Sequence, residues 1–165
     1  MHIFPTTTYS AHIRGDGPSA WANLRACTEL RDSLVTIRTA KLFIGQVGQG
    51  LFKLISSRIG VGAFCTMEGD FTTPSGSGTI RFRVHLAFRV LIGCWALAIG
   101  GLIGFMVWRR GFSTGGILAL QIVEVIVFGA ILRFVIIGGL FRSLVKSNME
   151  ALAPLLSLVD VHESE

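Results

Sequence analysis

TIRFRVHLAFRVLIGCWALAIGGLIGFMVW, residues 79–108, changes its period halfway along. In the first ten positions Ile80, Phe82, Val84, Leu86 and Phe88 alternate with Thr79, Arg81, Arg83, His85 and Ala87. Successive side chains of a strand point to opposite faces, so this pattern predicts a half-buried strand with one apolar and one cationic face. From Val90 to Trp108 no charged residue occurs in nineteen positions. A helix of that length rises ~28 Å, close to the ~30 Å hydrocarbon thickness of a bilayer. The strand enters this segment without a linker, which predicts a sheet held close to a membrane surface.

A second apolar stretch runs from Gly116 to about Phe141, broken only by Gln121, Glu124 and Arg133. The polar, Gly-rich link RRGFSTGG, 109–116, separates the two. Together they predict a transmembrane helical hairpin with spans at 90–108 and 116–141. The alternative, two buried helices of a larger fold, needs more surrounding chain than the roughly 85 preceding residues supply. The expected fold is therefore an α+β membrane protein: a small antiparallel β-sheet with one covering helix, then the hairpin, then a short C-terminal helix. The corresponding boundaries are 1–88 for a cytoplasmic β-rich domain, 89–141 for the hairpin, and 142–165 for a cytoplasmic helix with an acidic tail.

The chain has 165 residues and a formal net charge of +5, and the placement of its cations sets the expected orientation. Arg81, Arg83, Arg89, Arg142 and Lys146 flank the side shared by both termini, whereas the link carries Arg109 and Arg110. This bias predicts a multi-pass inner-membrane protein with both termini in the cytoplasm. The start, MHIFPTTTYS, has no basic segment followed by an apolar run, so a cleavable secretory signal is not expected. The basic residues, with His85, form a surface for membrane lipids or an acidic partner. No recognised nucleic-acid motif accompanies them, so nucleic acid is not an expected partner.

Within the first 88 residues, IFPTTTYS is expected as an edge strand, because Pro5 removes a donor. Pro18 and the spacing of Trp21, Leu24 and Cys27 predict a helix from about 18 to 30, with Trp21 packing into the core. KLFIGQVGQGLFKLI, 41–55, alternates around Gly48-Gln49-Gly50 and predicts a hairpin. A further strand is expected at 63–71. After 141, Leu144, Val145, Met149, Leu152, Leu155 and Leu156 predict an amphipathic helix interrupted near Pro154.

This order of elements, from IFPTTTYS through KLFIGQVGQGLFKLI and EGDF…GTIRFRVHL to two apolar helices, resembles a family of small uncharacterised bacterial membrane proteins. The resemblance implies a β-rich N-terminal half and a two-helix membrane hairpin. It implies no catalytic residues.

Glu124 is the sharpest chemical signal in the apolar region. A carboxylate near mid-membrane is costly unless paired or wet, so it marks a functional site by default. Gln121 lies one turn before it on the same face, while Arg133, nine residues on, falls on the opposite side of a helix. Gly93, Ala96, Gly100 and Gly104 form a small-residue stripe suited to close helix packing. Soluble catalysis finds little support: His2, His12, His85 and His162 are scattered, and GQVGQG lacks the lysine of a phosphate loop. Cys27, Cys65 and Cys94 are an odd number at unrelated spacings, so neither a disulfide framework nor a metal site is expected. No cofactor is expected either. The expected function is a non-enzymatic membrane accessory or scaffold subunit that binds another membrane protein or further copies of itself. The alternative is an oligomeric ion- or proton-conducting subunit using Glu124.

Overall fold

The computed structural model describes residues 4–35, 37–58, 64–73, 76–110, 123, 129 and 138–164. The chain divides into two compact units, Met1–His85 with Phe141–Glu165, and Leu86–Leu140.

The first unit is built on a seven-stranded sheet. Its elements are β1 (Thr6–Ile13), α1 (Gly17–Ala26), β2 (Thr28–Leu30), β3 (Phe43–Val47), β4 (Leu51–Ser56), β5 (Cys65–Asp70), β6 (Ser77–Val84), most of α3 (Gly138–Leu156), and β7 (Leu158–Ser164). The strand order is β2-β3-β4-β5-β6-β1-β7. All neighbours are antiparallel except β2 and β3, which run parallel.

Period-2 alternation sorts the two faces. The register aligns Leu54 with Met67 and Met67 with Phe82, and aligns Phe52 with Gly69 and Gly69 with Ile80. Leu54, Met67, Ile80 and Phe82 are fully enclosed, and Phe43, Phe52 and Val84 nearly so. Gly69 is required here, because any side chain at that position would occupy the space of the Phe52 ring. Phe71 stacks on Phe52, and the Trp21 indole meets both rings, their centroids 6.1 and 6.2 Å away. The helix α3 adds Phe141, Val145, Asn148, Leu152 and Leu156 to the buried set, at the four- and three-residue spacing of a single helix face.

Local signals explain most of these elements. Pro18 sits in the first turn of α1, where no intrahelical donor is lost, and Asp16 accepts a 2.7 Å hydrogen bond from the Ser19 hydroxyl. Gly50, at φ +79°, allows the β3–β4 turn to close, with the Gly48 amide donating to Leu51 at 2.7 Å. The hairpin expected at 41–55 is β3–β4, and the strand expected near 79–88 is β6, displaced towards the N-terminus.

Several expectations are corrected. The sheet has seven strands and is mixed, not a small antiparallel one with a single covering helix. β1 is not an edge strand: Pro5 lies before the ladder, so its missing N–H leaves β1 paired on both sides, with β6 and β7. The last residues are not a free acidic tail. They form β7, an edge strand with a bulge opposite Ser10–His12, where Asp160 takes up φ +52°.

The membrane architecture is corrected as well. In the second unit, α2 (Leu86–Arg110) starts four residues before the expected span and takes in Arg89. A crossing needs about 20 consecutive, predominantly apolar residues. Among the described residues, no helix is long and apolar enough to cross a membrane. The described end of the expected span 116–141 belongs to α3, an amphipathic helix with Arg142, Lys146 and Glu150 exposed opposite its buried stripe. The fold is α+β, with a seven-stranded mixed sheet and, among the described residues, three helices. An α+β membrane hairpin and a multi-pass inner-membrane placement are not supported.

Candidate functional site

The polar face of the sheet carries a row of charges set by register alone. Lys53 lies opposite Glu68, and Glu68 lies opposite Arg81. The Lys53 Nζ is 3.0 Å from Glu68 Oε1, and Arg83 Nη1 is 3.8 Å from Oε2. One carboxylate thus sits among Lys53, Arg81 and Arg83, and with Asp70 two residues along the same face of β5 the excess is one positive charge. His85 follows on the same side of the chain. Burial, and then the nearby Lys53 ammonium, push its pKa below the ordinary value, so the imidazole does not add to the cationic charge at neutral pH. Arg142 and Lys146, also expected in the basic surface, are exposed on α3.

α2 presents a different kind of surface. Leu86, Trp95, Leu97 and Trp108 are 70%, 64%, 78% and 77% exposed, and Val90, Leu91 and Phe105 are also more than half exposed. Gly93, Gly100 and Gly104 have nothing within 4 Å of the position a side chain would start from, and Ala96 is exposed. Among the described residues, therefore, nothing covers the small-residue stripe expected for close packing. All charged residues of α2, Arg89, Arg109 and Arg110, are cations near its ends.

Gln121, Glu124 and Arg133 lie outside the described residues, so no geometry attaches to them. Among the described residues, no group of three or more His, Cys, Asp or Glu side chains is placed to hold a metal ion. Cys65 is buried, and its thiol pKa is pushed up to about 12, chiefly by burial. Such a thiol is a core residue, not a nucleophile. Cys94, by contrast, is exposed on α2.

Two depressions went unread in the sequence. One, of about 700 Å³, is lined by Ser10, His12, Ser77, Thr79 and Asp160, where the bulge of β7 brings a carboxylate beside β1 and β6. His12 Nδ1 lies 3.3 Å from Ser77 Oγ. Activating a serine also requires a third group to orient the imidazole, and among the described residues no carboxylate is bonded to His12. The second, of about 800 Å³, lies between α1 and the β3–β4 turn, with Trp21 and Arg25 on one wall. The sequence signal for it was present: Pro18, Trp21, Ala22 and Arg25 share one helix face, and only Trp21 was assigned, to the core.

No family model matches the chain, and neither a curated protein nor a solved structure matches it. The resemblance to small bacterial membrane proteins with a two-helix hairpin does not hold: no family supports it, and among the described residues no helix is long and apolar enough to span.

Proposed function

We propose that this protein is a non-enzymatic accessory or scaffold protein that binds a partner protein through α2. The observation that carries this reading is the exposure of seven large apolar side chains of α2, Leu86, Val90, Leu91, Trp95, Leu97, Phe105 and Trp108. Contiguous apolar surface of this extent marks an interaction site. The stripe of Gly93, Ala96, Gly100 and Gly104, which no described residue covers, lets another backbone approach closely, and the Trp and Leu side chains beside it supply the area that burial would reward.

Charge selects the occupant. Every charged residue of α2 is an arginine near an end of the helix. A second copy would place Arg109 beside Arg109 in a parallel pair, or beside Arg89 in an antiparallel one, and like charges juxtaposed at an interface oppose pairing. The fitting partner is an apolar helix of another protein with acidic residues at its flanks. On the sheet unit, the Lys53–Glu68–Arg81–Arg83 row is a separate contact for an acidic surface.

Cys94, exposed on α2, provides the test. Cross-linking from Cys94 in the source cells, followed by mass spectrometry of the linked peptides, is expected to join α2 to a different polypeptide. Gly100→Leu with Gly104→Leu is expected to abolish that link while the sheet unit stays folded. A product joining Cys94 only to a second Cys94 would contradict the reading and assign the helix to self-association. For the basic row, co-sedimentation with phosphatidylserine vesicles that disappears in Arg81→Gln/Arg83→Gln would assign it to lipid headgroups instead.

A further inference from the structure

We propose that the groove between α1 and the β3–β4 turn binds a small organic anion with a flat apolar body, such as an aromatic carboxylate. The groove has a volume of about 800 Å³, within the roughly 300–1,000 Å³ range of small-molecule pockets. Pro18, Trp21 and Ala22 line it from α1, and Phe71, in ring contact with Trp21, lines it from the sheet. These rings hold one another in place: Phe71 stacks on Phe52, and the Trp21 indole packs edgewise on Phe71 and at a tilt on Phe52. A preorganised aromatic wall binds a flat apolar group without the cost of ordering itself first.

Two polar groups in the groove are left over by the fold. Among the described residues the Trp21 indole N–H has no acceptor, and the Arg25 guanidinium has neither an ion pair nor a hydrogen bond. Trp21 and Arg25 are one helical turn apart on the face of α1 that lines the groove. An indole N–H only donates and a guanidinium presents a planar fork of donors. The complementary group is therefore a planar anionic acceptor, and a carboxylate matches the fork two oxygens to two N–H groups. Gly48, Gln49 and Gly50 of the β3–β4 turn form the other rim. This site lies wholly within the sheet unit and does not depend on what α2 binds.

The probe is 4-phenylbutyrate, with neutral 4-phenylbutanol as its partner of equal apolar body. In the full chain carrying Trp95→Phe and Trp108→Phe, Trp21 is the sole tryptophan and reports directly on the groove. 4-Phenylbutyrate is expected to change its fluorescence saturably, and 4-phenylbutanol to bind about tenfold more weakly or worse. Arg25→Gln is expected to lose about tenfold for the acid and bring the two probes level. No saturable change, equal binding of acid and alcohol, or an unaltered response in Arg25→Gln would each overturn the proposal. If the double tryptophan variant fails to fold, calorimetric titration of the natural chain and of Arg25→Gln with the same two probes gives the same discrimination.

Discussion

Leu54 and Leu97 both sit inside regular elements, yet Leu54 is fully enclosed in β4 and Leu97 is 78% exposed on α2. The sheet unit faces the Phe52, Leu54, Met67, Ile80 and Phe82 side chains into a common core, although Leu30, Val35, Leu42 and Leu51 stay exposed at its surface. α2 leaves Trp95, Leu97 and Trp108 open. The contrast separates two uses of the same residue types. In the sheet unit, burial stabilises the fold. On α2, the proposed partner would supply that burial.

The two thiols give the widest contrast. Ellman's reagent is expected to modify Cys94 within minutes in the native chain and to leave Cys65 untouched until denaturant opens the sheet, because Cys65 is buried with its pKa pushed up to about 12. Modification of Cys65 at the rate of Cys94 would place β5 outside the core.

Truncation ranks next. Leu54→Ala is expected to cost about 3 kcal/mol in urea unfolding, the lost transfer energy plus a cavity the sheet cannot close. Leu97→Ala, on the exposed helix, is expected to change it by less than about 0.5 kcal/mol. Comparable losses at the two sites would remove the distinction between the units.

A smaller effect, of opposite sign, belongs to Asn148. Its side chain is only 6% exposed on the buried stripe of α3 and, among the described residues, has no hydrogen-bond partner. Burying an unpaired amide costs free energy, so Asn148→Leu is expected to be neutral or to stabilise by about 1 kcal/mol. A clear destabilisation would indicate that the amide is satisfied by ordered water.

The mildest effect is in pH dependence. His85 has its pKa lowered first by burial and second by the Lys53 ammonium. The unfolded chain therefore takes up this proton before the folded one, and stability is lost as pH falls from the ordinary histidine value of about 6.5 towards the lower folded value. An NMR titration is expected to show a His85 midpoint below 6.5 that rises only partway in Lys53→Gln, since burial is the larger cause. A midpoint at or above 6.5 would remove this contribution.

The sheet was legible wherever alternation was clean. Phe82 and Val84 against Arg81 and Arg83 identify β6, and the Gly48–Gly50 turn identifies the β3–β4 hairpin. β7 was not legible, because Ser157 and Asp160 at positive φ break the two-residue period, and the run from Leu158 to Ser164 then resembles a polar tail. The parallel pairing of β2 with β3 has no local signature either, since it depends on the long connection through residues 31–42. The charge-free run 90–108 fixed a helix but not its surroundings: periodicity reports which positions are apolar, not what covers them. The groove was missed because Arg25, read by itself, is an ordinary surface cation. Helical spacing sets it beside Trp21, but only the fold brings the glycine turn to them.

The central claim is that α2 is covered by another protein in its native setting. Alkylation of Cys94 with a membrane-permeant maleimide, compared between intact source cells and the purified chain, tests it most directly. The account predicts protection in the cell and rapid labelling of the purified chain. Equal labelling in both would contradict it.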